Sequence, residues 1–378
     1  MPEAVGAPLE VTLVANDVGG QGGMERQLTE LITGLLARGD RVTVISWSCR
    51  LPDHPNLRWL RVIGPSRPFP IAYPWFLIVA SLLVRLRGRG VIHGTGAIVL
   101  NRTDVCTVHF CHAAVAKLPR FSRASRGGVA YRLNAGISKV VSRLGERWCY
   151  RPGRVRHLVG VSLGVARELE ENYPAMRDRV SVIPNGVDTE VFRPADGNGA
   201  KQALTHRGLR ALFVGSEWER KGLAVAIEAL REAPGVSLTV VGKGDAEAYR
   251  HQAEKAAVAD RVEFVGSTPE VASWFDRTDV FVLPTAYETF SLVTYEAAAS
   301  GLPLLVTKVN GVEDLLRDGE SGWFVERDSA DVGRRLHALV DDPDLRCSMG
   351  RAARRASLEH SWDRVVERYC ALYASLGA

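Results

Sequence analysis

The sequence predicts an α/β protein built from two doubly wound, parallel-sheet domains facing each other across a cleft. Three observations carry this. Short apolar strands without in–out alternation are separated by helical segments, the pattern of a parallel sheet covered on both faces. The pattern stops at a turn-rich stretch and starts again beyond it. A length of 378 residues suits two or three domains, each large enough to bury its own core.

The first domain opens as βαβ. Leu9 to Ala15 is a β-rich apolar run, Gly19-Gly20-Gln21-Gly22-Gly23 a turn, and Met24 to Arg38 has apolar residues at helical spacing. Gly39 stops that helix and Val42 to Ile45 is the next strand. Phe76 to Leu86 reads as a buried helix, Val91-Ile92 as a short strand, and Asp104 to His109 as a strand ending in polar residues. Gly128 to Tyr150 has a basic amphipathic helical pattern, and Leu158 to Val161 begins another strand. Ile183-Pro184-Asn185-Gly186-Val187-Asp188 is rich in turn formers, and Arg193 to Gly208 has linker composition.

Strands then recur at Ala211 to Val214, Ser237 to Val241, Val262 to Val265, Val280 to Leu283 and Pro303 to Thr307. Helices fall near Leu223 to Arg231, Ala246 to Ala257, Pro269 to Phe275 and Ser291 to Ser300, and Ala330 to Leu376 is helical throughout. The expected domains are 1–188 and 189–360, with a last helix, 361–378, packing back on the first domain.

Composition narrows the class. With 46% hydrophobic and 24% charged residues the chain is neither disordered nor low in complexity. Its longest apolar run, Ile71 to Val84, is shorter than the roughly 20 residues of a bilayer span, so no integral membrane helix is expected. Met1 to Gly6 lacks the pattern of a secretory leader, and the six cysteines include no Cys-x-x-Cys pair; a cytoplasmic protein with reduced thiols is expected. The net charge of +5 is unevenly spread: Arg50 to Gly160 carries 19 Lys/Arg against three acids, and the remainder is net acidic. Such an island suits an anionic partner, or a solvated face whose acids lie elsewhere in space.

Ligands of open α/β sheets bind at the carboxyl ends of strands, where helix N-termini offer unpaired amides. Three segments qualify. Gly22 and Gly23 follow a strand and precede a helix, allowing a phosphate to approach the backbone, although the spacing is not Gly-x-Gly-x-x-Gly and a plain tight turn would look the same. Arg220-Lys221-Gly222 sets two cations beside a helix start, suited to a diphosphate or to a surface charge cluster with Glu219. Glu288-Thr289-Phe290-Ser291, followed by Glu296, opens a helix. Glu288 suits hydroxyl recognition or simple favouring of the helix dipole, and Glu296, a little over one turn inside, suits a ribose diol. Cys106, His109, Cys111 and His112 lie too close together in sequence to wrap a tetrahedral metal, so no metal site is expected there, and His112 is either a support for His109 or a loop residue. Asp342-Pro343-Asp344 reads as a turn between helices.

Glu288 and Glu296 form a Glu-x7-Glu pattern, and with it the second half resembles the retaining family 4 glycosyltransferases (glycosyl transferases group 1) of the GT-B fold. The resemblance runs through Val182 to Asp188, Phe213-Val214-Gly215, Arg220-Lys221-Gly222, Val241 to Asp245, Phe264-Val265-Gly266, Asp279 to Pro284, Glu296 to Pro303 and Asn310 to Asp314. In the first half only Gly22-Gly23-Met24-Glu25 and the strand ending at His109 resemble it. It implies a nucleotide-diphosphate sugar as co-substrate, with no metal and no other cofactor. Lys221, supported by Arg220, would hold the diphosphate, and Gly22 and Gly23 would approach it. Glu288 would touch hexose hydroxyls, Thr289, Phe290 and Ser291 would give amides to phosphate, Glu296 would bind ribose, Val265 would contribute to the nucleotide-sugar site, and His109 would sit beside the anomeric carbon. Many relatives have Gly-Arg where this chain has Gly215-Ser216, so phosphate charge is expected to rest on Arg220 and Lys221, with the basic first domain as a further source. UDP and a hexose are the favoured donor parts. The alternatives are a phosphorylase or epimerase of the same fold, or a catalytically silent sugar-nucleotide-binding protein.

The acceptor, a glycan, a lipid-linked or a small molecule, would then meet the basic first domain. Arg120, Arg123, Arg126, Arg132, Lys139 and Arg143, interleaved with Leu118, Phe121, Val129, Tyr131 and Leu133, suit peripheral contact with the anionic inner face of a membrane. No nucleic-acid module is visible, and no such partner is expected.

Overall fold

The computed structural model describes residues 8–20, 22–117, 129–194 and 208–377. The chain forms two compact units, Met1–Asn185 with Trp362–Ala378, and Gly186–Ser361. These divisions fall three residues before and one residue after the boundaries read from the sequence. Gln21, residues 118–128 with Leu118, Arg120, Phe121, Arg123 and Arg126, the side chains of Val129, Tyr131, Arg132 and Leu133, and 195–207 of the linker lie outside the described residues.

The first unit runs β1 (Glu10–Val14), β2 (Asp17–Val18), α1 (Gly23–Ala37), β3 (Arg41–Ser46), β4 (Ser48–Cys49), β5 (Leu57–Arg61), α2 (Phe69–Arg87), β6 (Val91–Thr95), β7 (Thr103–Val108), α3 (His112–Val115), α4 (Val129–Cys149), β8 (Val155–Gly160), α5 (Leu163–Asn172) and β9 (Val180–Val182). Its seven-stranded sheet has the order β5-β3-β1-β6-β7-β8-β9 with parallel pairing throughout, and β2 pairs with β4. Strand order therefore reverses between β1 and β6. Helix α1 forms where the spacing of Leu28, Leu31, Ile32 and Leu35 predicts, with all four buried, and ends before Gly39, whose φ of +86° only glycine adopts readily.

Helix α2 departs from expectation. It begins seven residues earlier than read from the sequence, and it is buried along one side only. Ala72, Phe76, Ala80 and Val84 face the core, where Phe76, Ala80 and Val84 pack with Val14, Ile45 and Val62, while Ile71, Trp75, Ile78, Leu82 and Leu86 are exposed. With 19 residues and a mean hydropathy of 1.7 over its most apolar 18-residue window, α2 is long and apolar enough to cross a membrane. This corrects the reading that no segment qualifies, which counted only the uninterrupted run and left out Phe69-Pro70 before it and Leu86 behind Arg85.

The last helix, α14 (Trp362–Ser375), belongs to this unit and meets its sheet through a buried polar seam. His93 of β6 bonds the Tyr373 hydroxyl at 2.7 Å and Thr107 Oγ1 at 2.8 Å, and Thr107 in turn bonds the Tyr369 hydroxyl at 2.8 Å. Burial, with a smaller contribution from His109, pushes the His93 pKa down to about 3, and burial pushes that of His109 down to about 4. In the unfolded chain both take up a proton near pH 6.5. The folded state binds fewer protons between these limits, so the contribution of these two histidines to stability is complete above about pH 6.5 and is lost below it, by up to about 1.4 kcal/mol per pH unit for each. Denaturant titrations between about pH 7 and pH 5 are expected to show this slope, and His93→Gln to make it shallower.

The second unit contains β10 (Leu209–Val214), α6 (Trp218–Lys221), α7 (Leu223–Ala229), β11 (Val236–Val241), α8 (Ala246–Lys255), β12 (Val262–Gly266), α9 (Val271–Asp276), β13 (Val280–Leu283), α10 (Leu292–Ala299), β14 (Leu304–Val306), α11 (Val312–Leu315), β15 (Gly322–Phe324), α12 (Ser329–Asp341) and α13 (Pro343–Leu358). Its parallel sheet has the order β12-β11-β10-β13-β14-β15, reversing between β10 and β13. The stretch read as continuously helical breaks twice. Asp342 caps α13 by accepting from Leu345 N at 2.8 Å, and 359–361 separate α13 from α14.

Candidate active site

In the second unit the loops after β10 and β13 emerge side by side where strand order reverses, the position at which doubly wound sheets bind ligands. Backbone strain collects there. Glu217 and Ser291 have φ of 56° and 68°, two of the three non-glycine residues with positive φ among the described residues. Such conformations cost on the order of 1–2 kcal/mol each and persist where surrounding structure imposes them. The two loops are tied by Ala286 N donating to the Arg220 carbonyl at 2.9 Å. Gly222, at φ +79°, allows this approach, since a Cβ there would lie 2.1 Å from the Pro284 carbonyl oxygen.

The crossing brings three charged side chains together. Lys221 Nζ donates to Glu288 Oε1 at 2.8 Å and Arg220 Nη1 to the same oxygen at 3.1 Å. Thr285 Oγ1 donates to it at 3.2 Å. Arg220 is held further by Glu217 Oε2 at 2.9 Å and by the Tyr287 carbonyl. Lys221 lies across Gly215, where a Cβ would come within 2.5 Å of its side chain. Burial pushes the Glu288 carboxyl up, but Lys221 and Arg220 outweigh it, and its pKa ends below the ordinary value. Glu288 is therefore an anion fixed between two cations.

Beside this cluster α10 begins. Ser291 precedes its first turn and its hydroxyl bonds Thr294 Oγ1 at 2.8 Å. The Phe290 ring is buried against Tyr295 at 4.3 Å, so its side chain is not available to a ligand. Glu296, at the fifth position of α10, is half-buried among the buried residues Thr294, Tyr295 and Ala297. Val265 is half-buried near the end of β12, two strands from β10 in the sheet order, and its neighbour Phe264 packs against Trp218 of α6 at 5.7 Å. Nothing in the sequence marks Thr285 or Glu217, because side chains on irregular loops carry no periodic signal.

Gly22, Gly23 and His109 belong to the first unit. Gly22 caps α1 and Gly23 opens it, both exposed. His109 follows β7 and lines a cavity of about 260 Å³ at the other reversal of strand order, with Asn16, Tyr73, Thr95, Phe110 and Glu146 also on its wall. Both His109 ring nitrogens are buried without a hydrogen-bond partner, and its lowered pKa leaves the ring neutral at pH 7. His112 is not a support for His109: its Nδ1 bonds Glu146 at 2.9 Å. Glu146 also accepts from the backbone of His112 and Ala113 and from the Tyr173 hydroxyl, at 2.8, 3.1 and 2.8 Å, so it caps α3 and fixes the loop that follows His109. In the sequence Glu146 was only one acid within a basic stretch.

Comparisons with known proteins agree with this architecture. The family described as Glycosyltransferase Family 4 matches residues 21–191, and that described as Glycosyl transferases group 1 matches 199–356. A D-inositol 3-phosphate glycosyltransferase of Streptomyces avermitilis is 34% identical over 231 residues, 56% of this chain and 50% of that protein, so the match spans half the relative's length. Among solved structures, WaaG, a glycosyltransferase involved in lipopolysaccharide biosynthesis, superposes with a TM-score of 0.75 at 20% identity, covering 97% of this chain and all of the other. HepE of Anabaena, solved with UDP-glucose, gives a TM-score of 0.69 at 16% identity, again over 97% of this chain and all of the other.

Proposed function

Because this chain belongs to the family 4, group 1 glycosyltransferases and has their GT-B fold, we propose that it is a retaining, metal-independent hexosyltransferase that works in the cytoplasm. It moves a hexose from a nucleotide-diphosphate sugar, a UDP-sugar in our reading, to a hydroxyl of a glycan, glycolipid or small molecule. The observation that carries this reading is the Lys221–Arg220–Glu288 cluster beside the start of α10. Breaking the bond from the anomeric carbon to the diphosphate leaves negative charge on the departing phosphate, and fixed cations with helix-end amides stabilise that charge without a metal.

Glu288, ionised and bonded to two cations, orients hexose hydroxyls and is not a nucleophile. Retention then follows from front-face attack. The acceptor oxygen bonds to the anomeric carbon from the side the diphosphate leaves, and its proton passes to the leaving phosphate oxygen. Neutral His109 would sit beside that carbon as a hydrogen-bonding group, Glu296 would hold the ribose, and Gly22 and Gly23 would let the diphosphate approach. Support for UDP comes from the structural likeness to HepE, solved with UDP-glucose.

Incubation with UDP-, GDP- and ADP-hexoses and a panel of sugar and polyol acceptors tests this. The expected product keeps the donor's anomeric configuration by NMR and forms at the same rate with EDTA. An inverted product, or activity only with added divalent metal, contradicts the mechanism.

A further inference from the structure

Helices α2 and α4 leave large apolar side chains uncovered in a regular pattern. On α2, Ile71, Trp75, Ile78, Leu82 and Leu86 recur at helical spacing with 45–64% exposure, a stripe of about 22 Å at 1.5 Å per residue. On α4, Ile137, Val140, Leu144 and Trp148 do the same at 41–58%. Ten of the seventeen exposed large apolar residues among the described residues lie on these two helices, so the exposure is concentrated and not the usual scatter. The helices touch, since a Cβ on Gly145 of α4 would lie 2.0 Å from the Tyr73 hydroxyl of α2.

The charge around the stripes has one sign. No Asp or Glu occurs between Asp53 and Asp104, a stretch that includes exposed Arg58, Arg61, Arg67, Arg85, Arg87 and Arg89. Lys139, Arg143 and Arg147 form an exposed row along α4, whose one acid, Glu146, is buried. A second copy meeting this face with its own would set arginine against arginine. Exposed tryptophans, aliphatic stripes and surrounding cations match instead the boundary between phosphate headgroups and acyl chains.

We propose that the α2–α4 face seats this protein on an anionic lipid surface, with α2 lying in the plane of the interface. It does not span, because Phe76, Ala80 and Val84 on its other side are packed into the core. This adds α2 to the basic stretch read from the sequence, whose Lys139 and Arg143 lie on α4. The seating stands apart from the transferase reading. One consequence rests on that reading: Phe69 and Tyr73 in the first turns of α2 line the His109 cavity, so a lipid-held acceptor would enter from the side on which the helix lies.

Sedimentation of the full chain with phosphatidylglycerol-containing and pure phosphatidylcholine vesicles, at low and high salt, tests the proposal. Binding to the anionic vesicles alone is expected, weakened by salt. The double substitution Trp75→Glu/Leu82→Glu is expected to lower it at least about tenfold, and Arg85→Ser/Arg87→Ser by about fivefold per charge. The arginine variant should keep the wild-type melting temperature, and the Trp75/Leu82 variant should melt somewhat lower, having lost the indole bond to the Ile63 carbonyl at 2.8 Å; both should keep a cooperative melt and the wild-type thermal shift with UDP, which separates lost seating from lost folding and from failure of the transferase reading. Equal or absent binding to both vesicle types overturns the proposal. So does unchanged affinity in the Trp75/Leu82 variant, or sedimentation velocity showing a dimer that the same substitutions dissolve.

Discussion

Lys221→Ala is expected to lower kcat/KM for the sugar-nucleotide donor by about 10²–10³-fold, the cost of removing one charge-stabilising group aimed at a departing anion. The size of the effect follows from placement. The Lys221 side chain is 12% exposed and lies across Gly215, and its ammonium is fixed 2.8 Å from Glu288, so little reorganisation is needed when charge develops on the leaving phosphate. Arg220 remains in the variant but is committed to Glu217 and the Tyr287 carbonyl, and cannot move into the vacated position. Lys221→Arg is expected to recover part of the loss, because a planar guanidinium restores the charge without the fit over Gly215. Steady-state kinetics with varied donor reads both variants.

Glu288→Ala is expected to separate stability and turnover from nucleotide affinity. The Glu288 side chain is 10% exposed, and its carboxylate is the shared counter-charge of Lys221 and Arg220. Removing it leaves two partly buried cations facing each other, a loss of about 3 kcal/mol by the measured cost of breaking buried pairs. Turnover falls with it, since the hexose loses its hydroxyl acceptor. UDP affinity does not fall, because both cations stay available to the diphosphate. Urea denaturation, UDP titration and turnover on the same preparation check the three parts together. A variant that lost UDP affinity while keeping turnover would reverse the assignment.

What the sequence made legible follows from how locally each feature is determined. The βα alternation and most strands were readable because runs such as Val280–Leu283 are buried on both faces and bounded by turn formers. The α2 boundary was not, because residues that cover the core and residues that stay exposed are equally apolar on that helix, and no periodicity separates them. Strands β5, β9 and β15 carry little local signal, because Leu57–Arg61 neither alternates nor forms an apolar run, and Val180–Val182 and Gly322–Phe324 are only three residues long. At the site, Lys221 and Glu288 could be named from chain position at strand ends, but their contact depends on two loops crossing at positive-φ residues. Glu217 and Ser291 carry no conformational signal of glycine and give no hint of that crossing. Glu146 was hidden for a related reason: its partners His112, Ala113 and Tyr173 lie 27 to 34 residues away in sequence.

The central claim is that the Lys221–Arg220–Glu288 cluster receives the diphosphate of the donor. Calorimetric titration of UDP, UMP and uridine into wild type and Lys221→Ala tests it most directly. In the wild type each added phosphate should tighten binding, and in the variant UDP should lose most of its advantage over uridine while uridine itself binds as before. UDP binding with the same affinity in both proteins would contradict the account.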